Sequence, residues 1–379
     1  MTYISGKKIK HFYLKDYEYE SFSPAFINQS FDWQDKRITL LLEEAMRLLG
    51  ELNAYSELVP DVEFFIRMHV VKEATKSSRI EGTRTEIGEA ILPKEEIAPE
   101  KREDWEEVQN YIRAMNFSVS RLKTLPLSMR LLNETHEKLL TGVRGKEKRP
   151  GTIRKSQNWI GGPNFKDAKF VPPHHDELPD LLTDLEKFWH NKEIALPLLI
   201  KTAIGHYQFE TIHPYLDGNG RLGRLLITLQ LMESGVLSYP CLYLSDYLEK
   251  HRIEYFDSLT LVRSHSDMDQ WLRFFLTGMI ETANQGRGTF CNIVRLRSRY
   301  EEKITSFGRQ AVLARTFLLK LFSWPAISVS MAADKLDVSF NTAASLIMRF
   351  HKAGMLKEMT GSSRNKLFLL HEYVDLFKK

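Results

Sequence analysis

Apolar residues recur at helical spacing along most of this chain. Between Asp35 and Leu52 they fall every three or four positions, the period that lines one face of an α-helix. Asp61, after Pro60, is a predicted N-cap, and Gly82 is a predicted helix stop. The same period predicts helices over Asp61–Ser77, Asp104–Leu122, Ser128–Thr141, Glu177–Trp189, Ile194–Thr211, Arg221–Ser234, Ser245–Val262 and Met268–Asn284. The fold class is therefore mainly α.

A segment rich in Gly and Pro interrupts these helices between Gly142 and Pro173. Its short apolar pieces, Asn158-Trp159-Ile160 and Phe170-Val171, flank the Gly161-Gly162 pair. Apolar pieces around a Gly pair predict a β-hairpin or an extended flap.

The end of the chain has a third pattern. A helix is predicted over Ala311–Phe322, and two shorter helices, Met331–Leu336 and Asn341–Ala353, are separated by a turn. Apolar residues from Leu356 to Leu370 then surround the polar triplet Gly361-Ser362-Ser363. This order predicts a helix-turn-helix followed by a β-wing.

A chain of 379 residues is long for one hydrophobic core. We expect a boundary at the Gly286-Arg287-Gly288 triplet. The predicted domains are an N-terminal helical region (1–110), a central core that carries the chemistry (111–285) and a C-terminal winged-helix-like domain (286–379).

The net charge of +4 is unevenly distributed. Residues 286–379 hold 16 Lys and Arg against 7 Asp and Glu, whereas the remainder holds 37 against 42. A basic tail on an acidic body favours an acidic partner such as nucleic acid, although a solvated lysine-rich surface explains the excess equally well. Two cysteines are too few for a disulfide scaffold, and no apolar run approaches the ~18 residues that span a bilayer. We therefore expect a cytoplasmic protein without membrane contact.

The densest chemistry lies in one dodecapeptide. An imidazole can take a proton, a carboxylate can hold a divalent metal, and small residues let the backbone approach an anion. Two arginines fall three residues apart in the first turn of a predicted helix, where the helix dipole disfavours cations unless an anion is bound. The residues are His213-Pro214-Tyr215-Leu216-Asp217-Gly218-Asn219-Gly220-Arg221-Leu222-Gly223-Arg224.

This dodecapeptide resembles the Fic-domain motif, His-x-Phe-x-(Asp/Glu)-Gly-Asn-Gly-Arg-x-x-Arg. The one departure is Tyr215, where the motif has Phe. The Gly/Pro-rich segment resembles the family's flap, and the resemblance covers Leu131 to Ile280. It implies transfer of AMP from ATP to a Ser, Thr or Tyr hydroxyl of a target protein.

The resemblance also implies residue roles. His213 would deprotonate the acceptor, and Asp217 would hold Mg²⁺. Arg221 would contact the β-phosphate of ATP, and Arg224 the γ-phosphate. Tyr255 is an even choice between a wall for the adenine or ribose and helix packing, and packing is favoured for Tyr247. The remaining nucleotide-binding candidates are Gly218, Asn219, Gly220, Leu222 and Gly223.

A second segment, Ser77-Ser78-Arg79-Ile80-Glu81-Gly82, resembles the family's inhibitory pattern (Ser/Thr)-x-x-x-Glu-(Gly/Asn). Its position before the core agrees with one class of the family. The resemblance implies that Glu81 pairs with Arg224 and keeps the γ-phosphate from its productive position. We therefore expect low basal activity.

Two other interpretations stay open. The chain is a DNA-binding regulator with a vestigial Fic core, or a Fic enzyme that uses another nucleotide donor or removes AMP from a modified protein. The resemblance also implies a homodimer, and the C-terminal domain is a candidate contact for DNA or protein.

Overall fold

The computed structural model describes residues 3–12, 18–33, 35–59, 61–142, 146–360 and 366–378. Pro60 and the triplet Gly361-Ser362-Ser363 lie outside these residues. The described chain is mainly helical with two small antiparallel sheets, which confirms the predicted class. Among its helices, none is both long and apolar enough to cross a bilayer.

A β-hairpin that the sequence pattern did not predict opens the chain. Strand β1 (Gly6–Phe12) pairs antiparallel with β2 (Glu18–Pro24). The Phe22 N–H of β2 donates to the Val171 carbonyl at 2.9 Å, so the hairpin contacts the flap segment.

The body of the protein consists of packed helices. Helix α1 (Lys36–Leu58) has Asp35 as its N-cap, whose side chain accepts from the Arg37 N–H. The helices that follow are α2 (Glu63–Ile80), α3 (Ile87–Ala90), α4 (Arg102–Leu122), α5 (Met129–Leu139), α6 (Leu178–His190), α7 (Leu198–Ile212), α8 (Asn219–Glu233), α9 (Leu244–Lys250), α10 (Arg252–His265) and α11 (Met268–Thr305).

Helix α2 is tied to the core through buried charged groups. The Lys76 ammonium lies 2.8 Å from the Asp246 carboxylate of α9. The Glu73 carboxylate accepts from the Ser245 N–H at 3.1 Å. Buried charges are stable only when paired or hydrogen-bonded, so these contacts hold α2 in one position. Glu81 caps the C-terminus of α2.

Helices α7 and α8 lie at the centre. Nearly every residue of both is buried, which is typical of helices covered on all sides. The connection between them is the dodecapeptide, so two largely buried helices position the candidate chemistry.

The predicted flap is confirmed in outline. Ile160 and Phe170 form an antiparallel bridge, with the Ile160 N–H donating to the Phe170 carbonyl at 2.8 Å. The rest of the Gly/Pro-rich segment is extended chain and turns.

The C-terminal elements appear in the predicted order. The elements are α12 (Ala311–Ser323), β3 (Ala326–Ser328), α13 (Val329–Leu336), α14 (Phe340–Lys352), β4 (Lys357–Glu358), β5 (Leu367–Leu369) and α15 (His371–Lys378). Strand β5 pairs antiparallel with β3 on one side and with β4 on the other. The β3 strand and the last helix were not predicted. Helices α12 and α15 pack on α2 through aromatic rings, with Phe65 contacting Phe322 at a centroid distance of 4.8 Å.

Some local predictions, of a helix cap and of helix bounds, were wrong. Asp61 does not cap α2, because its φ of 58° places it in the left-handed region and Val62 takes the cap position. The predicted helix over Ser245–Val262 is two helices, since His251 leaves helical geometry between them.

Helix α11 also differs from the prediction. It does not end at Asn284 but runs unbroken through Gly286 to Thr305. A Cβ atom at Gly286 would lie 3.1 Å from Leu52, so this glycine allows α1 and α11 to approach closely. The division into domains at residue 286 stays a prediction.

Candidate functional site

His213 ends α7 in a left-handed conformation, with φ 50° and ψ 62°. Its N–H donates to the Phe209 carbonyl at 3.0 Å. This conformation is uncommon for a residue with a side chain, and such strain is concentrated at functional sites.

Asn219 fixes the turn that follows. Its side-chain oxygen accepts from the Tyr215 N–H and its amide donates to the Tyr215 carbonyl, both at 2.8 Å. Gly218 has a φ of 77°, the region that favours glycine. The Asn219 side chain is therefore used to shape the turn, and the N–H groups of the first turn of α8 are what the turn offers to an anion.

His136 supports the turn from beneath and was missed by the sequence analysis. Its Nδ1 accepts from the Gly151 N–H at 2.8 Å, so Nε2 carries the proton and donates to the Asp217 carbonyl at 2.9 Å. Its ring stacks on Tyr215 at 3.9 Å. The Tyr215 hydroxyl, the departure from the motif, donates to Asn133 at 2.6 Å.

Arg154 joins the flap to the catalytic turn and was also missed. It is buried, and it donates to the carbonyls of His213 at 3.0 Å and of Pro173 at 2.6 Å. Burial lowers the pKa of Arg154 to about 10, which leaves the guanidinium charged at neutral pH.

The His213 imidazole is neutral at physiological pH. Burial, with further repulsion from the Arg154 guanidinium, lowers the pKa of His213 to about 4. A neutral imidazole is the form that can accept a proton.

Arg221 and Arg224 lie buried in the first turns of α8. An Arg221 nitrogen is 3.2 Å from the Glu107 carboxylate and another is 3.8 Å from that of Asp217. Glu107, on α4, was not predicted to take part.

Arg224 is bound by the end of α2. Its guanidinium donates to the Glu81 carboxylate at 2.6 Å, to the Ser77 hydroxyl at 2.9 Å and to the Ser77 carbonyl at 3.0 Å. An anion was expected beside the arginine pair, and the protein supplies carboxylates of its own. Partial burial raises the pKa of Glu81, but the attraction of Arg224 outweighs it and holds the pKa below its usual value.

Two glycines of α8 admit carboxylates. A Cβ at Gly220 would overlap the Glu81 carboxylate, and a Cβ at Gly223 would overlap the carboxyl oxygen of Glu210 on α7. Gly223 was predicted as a nucleotide contact, and the structure shows that it makes room for Glu210. Burial raises the pKa of Glu210 to about 7.

Tyr255 lies beneath the site. It is 1% exposed, and its hydroxyl bonds His206 Nε2 at 2.9 Å, while His206 Nδ1 donates to the Gly223 carbonyl at 3.0 Å. A fully buried ring packs against its neighbours. In this conformation Tyr255 therefore offers no accessible surface to the adenine or ribose of a nucleotide. Leu222 is likewise a core side chain, and Tyr247 packs on Phe274 as favoured.

The donor set around Asp217 fits magnesium. Its side chain is 41% exposed beside the N-terminus of α8, and Mg²⁺ uses one or two carboxylates together with phosphate oxygens. In the described chain, a separate group of His174, His175 and Asp176 brings its ligand atoms within 4.8 Å. Two imidazoles suit a transition metal rather than magnesium.

Comparisons with known proteins agree on one family. The model "Fic/DOC family N-terminal" matches residues 39–120, and the model "Fic/DOC family" matches residues 126–231. A protein adenylyltransferase Fic of Aedes aegypti is 32% identical over 149 residues, which are 39% of this chain and 27% of that protein. A protein adenylyltransferase of Caenorhabditis elegans is 30% identical over 241 residues, 62% of this chain and 43% of that protein. The chain thus spans less than half the length of these curated relatives.

Solved structures share the fold. A Fic family protein from Desulfovibrio desulfuricans aligns with a TM-score of 0.57 at 19% identity, covering 90% of this chain and 98% of its own. A Fic domain protein from Bacteroides thetaiotaomicron aligns with a TM-score of 0.53 at 17% identity, over 66% of this chain and 97% of its own.

Proposed function

Because this chain belongs to the Fic/DOC family, we propose that it is a protein adenylyltransferase that moves AMP from ATP to a Ser, Thr or Tyr hydroxyl of a target protein. The observation that carries the proposal is a neutral His213 at the end of α7, joined by one turn to the helix α8 that presents Arg221 and Arg224. A proton acceptor next to a cationic anion site is what nucleotidyl transfer requires.

In the proposed reaction the acceptor oxygen forms a bond to the α-phosphorus of ATP. The bond from that phosphorus to the bridging oxygen of the β-phosphate breaks, and pyrophosphate leaves. The acceptor's proton passes to the His213 imidazole. Arg221 and the first-turn N–H groups of α8 neutralise charge on the departing phosphates, with Arg224 available for the terminal one.

Asp217 would hold Mg²⁺ at this site. The ion supplies charge neutralisation and orientation of the phosphates. The protein's own contribution is to fix Asp217 through the hydrogen bond from His136 to its carbonyl.

The target protein would add a strand to the flap. The flap is fixed to the catalytic turn by Arg154, so a segment paired with it would be held at a constant distance from His213. Side chains of the flap tip such as Trp159, which is 38% exposed, would contact the target.

Autoinhibition by Glu81 is part of the proposal. While Glu81 and Ser77 occupy Arg224, a γ-phosphate cannot reach that guanidinium, and the triphosphate sits in a less productive position. A misplacement of about 1 Å can lower a rate by about 10²-fold. The Glu81 carboxylate also attracts the His213 imidazole electrostatically, which is compatible with removal of AMP, and another triphosphate donor would use the same phosphate contacts.

A DNA-binding role is a second candidate. It is favoured by the arrangement of α13 and α14 with the β4–β5 strands, together with the excess of Lys and Arg after residue 286. Binding to duplex DNA that weakens with increasing salt would support it.

We also propose that the protein is located in the cytoplasm.

The test is incorporation of labelled AMP from ATP and Mg²⁺ into proteins of a native lysate, followed by mass spectrometry. Glu81→Gly should raise incorporation by about 10²-fold over the unchanged chain. Adding His213→Ala to Glu81→Gly should reduce it by about 10²-fold or more. Modification that persists without His213 would overturn the proposed mechanism.

A further inference from the structure

Glu210 is a buried carboxyl group to which the proposed reaction assigns no role. It lies on α7, it is 7% exposed, and its Oε1 has no hydrogen-bond partner among the residues that the structure describes. Buried polar atoms are nearly always satisfied, so an unpaired one needs an explanation.

The position of Glu210 is specified by a glycine. Only glycine at position 223 leaves space for the Glu210 carboxyl, because any Cβ atom there would overlap Oε1. Gly223 directly precedes Arg224 on α8. The carboxyl therefore lies against the helix turn that presents Arg224.

The charges around Glu210 come from three elements, α8, α2 and α10. Burial raises its pKa, Arg224 on α8 lowers it, Glu81 at the end of α2 raises it, and Arg263 on α10 lowers it again. The Tyr255 hydroxyl of α10 interacts with the same carboxyl. The net result is a pKa of about 7, so the group changes charge near neutral pH.

We propose that Glu210 is a positioning residue for Arg224 that takes up or releases a proton when Arg224 gains or loses its anion. While Glu81 or a phosphate occupies Arg224, Glu210 binds its proton more tightly. When Arg224 has neither anion, Glu210 releases its proton to solvent and its carboxylate holds the guanidinium in place. The inference rests on the proposed function, because it takes the triphosphate as the second anion.

The direction of the coupling follows from electrostatics. Removing the Glu81 charge lowers the pKa of Glu210, so the carboxyl ionises at pH 7. A phosphate that then arrives at Arg224 restores a negative charge, and Glu210 takes up a proton. Binding that takes up a proton weakens as the pH rises.

Calorimetry with a non-transferable nucleotide tests this coupling. The ligand is α,β-methylene ATP with Mg²⁺, titrated at pH 7 in buffers of different ionisation enthalpy. Glu81→Gly should take up more protons on binding than Glu81→Gly combined with Glu210→Gln. The nucleotide's own ionisation cancels in this difference. Glu81→Gly combined with Glu43→Gln, an exposed carboxylate of α1, is the matched control and should behave like Glu81→Gly alone.

The outcomes separate two failures. Equal proton uptake with and without Glu210 would overturn the inference and leave the proposed function intact. An analogue that does not bind to Glu81→Gly at all would overturn the proposed function and this inference with it. A Kd that rises from pH 6 to pH 8 more steeply for Glu81→Gly than for Glu81→Gly combined with Glu210→Gln would support the inference.

A second measurement needs no nucleotide. Carbon-13 NMR of labelled glutamate carboxyls should show one group titrating near pH 7 in the unchanged chain, and Glu210→Gln should remove it. In Glu81→Gly the same resonance should titrate at lower pH. A midpoint that is unchanged by Glu81→Gly would contradict the inference.

Discussion

Two carboxyl groups interact with the Arg224 guanidinium, and their surroundings differ. Glu81 comes from the C-terminal cap of α2, keeps 39% of its side chain exposed and has a pKa below its usual value. Glu210 comes from the interior of α7, is almost fully buried and has a pKa raised to about 7. The exposed group can leave Arg224 by rotation of its own side chain, whereas the buried group can change only its charge.

The difference assigns separate tasks to the two groups. Glu81 is suited to competition with a ligand, because it gives Arg224 a strong but removable partner. Glu210 is suited to compensation, because its proton adjusts the local charge without any movement. Gly220 and Gly223, three residues apart on α8, make room for one carboxylate each.

Gly223→Ala should have the largest effect on stability. The added Cβ would overlap the Glu210 carboxyl, and overpacking of this kind lowers the free energy of unfolding by about 1–3 kcal/mol. Chemical denaturation measures this loss. Adding Glu210→Ala should recover part of it, as expected for residues in contact.

The control for that prediction is Gly288→Ala on α11. A Cβ there meets no atom within 4 Å, and alanine is the better helix former. The Gly288 variant should be as stable as the unchanged chain or more stable by up to about 1 kcal/mol. If Gly223→Ala had the same free energy of unfolding as Gly288→Ala, Glu210 would not contact α8 as described.

Glu210→Gln should alter the dependence of stability on pH. The raised pKa means that Glu210 stays protonated in the folded chain up to pH 7, while the unfolded chain releases this proton above pH ~4.5. The free energy of unfolding of the unchanged chain therefore falls by on the order of 2 kcal/mol between pH ~5 and pH ~7, and Glu210→Gln should remove this loss. The Tm of Glu210→Gln, relative to that of the unchanged chain, should be higher at pH 8 than at pH 5. Equal differences at the two pH values would contradict a raised pKa.

Ser77→Ala should weaken the hold on Arg224 without abolishing it. The Ser77 hydroxyl accepts one hydrogen bond from the guanidinium, while the Ser77 carbonyl and Glu81 keep theirs. A hydrogen bond of this kind contributes about 1 kcal/mol, which corresponds to a few-fold rise in AMP incorporation. Ser78→Ala, also buried on α2, is the matched control. A rise as large as that of Glu81→Gly would mean that Ser77, and not Glu81, is the main restraint.

Tyr215→Phe should have the smallest effect. It restores the residue of the motif and removes the hydroxyl that donates to Asn133. The free energy of unfolding should fall by about 1 kcal/mol or less, because one hydrogen bond is lost while the stacking on His136 stays. A large loss of activity in a stable variant would show that the hydroxyl has a role in the reaction.

The contrast between Glu81 and Glu210 also shows what could be predicted from the sequence. Glu81 belongs to a short local pattern, and its pairing with Arg224 was predicted. Glu210 and Glu107 have no such pattern, and their proximity to α8 arises only when α7 and α4 pack against it. His136 lies 81 residues from its partner Asp217, so no window of sequence could join them.

Local elements were predicted where one period was sustained. The helices α1 and α8 and the order of α12 to α14 follow from their apolar spacing. The β1–β2 hairpin was missed because its alternation of apolar and polar residues is short and interrupted. The end of α11 was predicted too early because Gly286 was read as a helix stop, whereas this glycine lies inside the helix and packs against Leu52.

In the proposed mechanism, Glu81 and the γ-phosphate compete for Arg224. The direct measurement compares the Kd values of the α,β-methylene analogues of ATP and ADP, with Mg²⁺, for the unchanged chain and for Glu81→Gly. The unchanged chain should bind both with similar affinity, because Arg224 is occupied. Glu81→Gly should prefer the triphosphate by about tenfold or more, the value of one charge-assisted contact, and Arg224→Ala should remove this preference. If the ratio of the Kd values for the two analogues were the same in the unchanged chain and in Glu81→Gly, competition between Glu81 and the γ-phosphate would be contradicted.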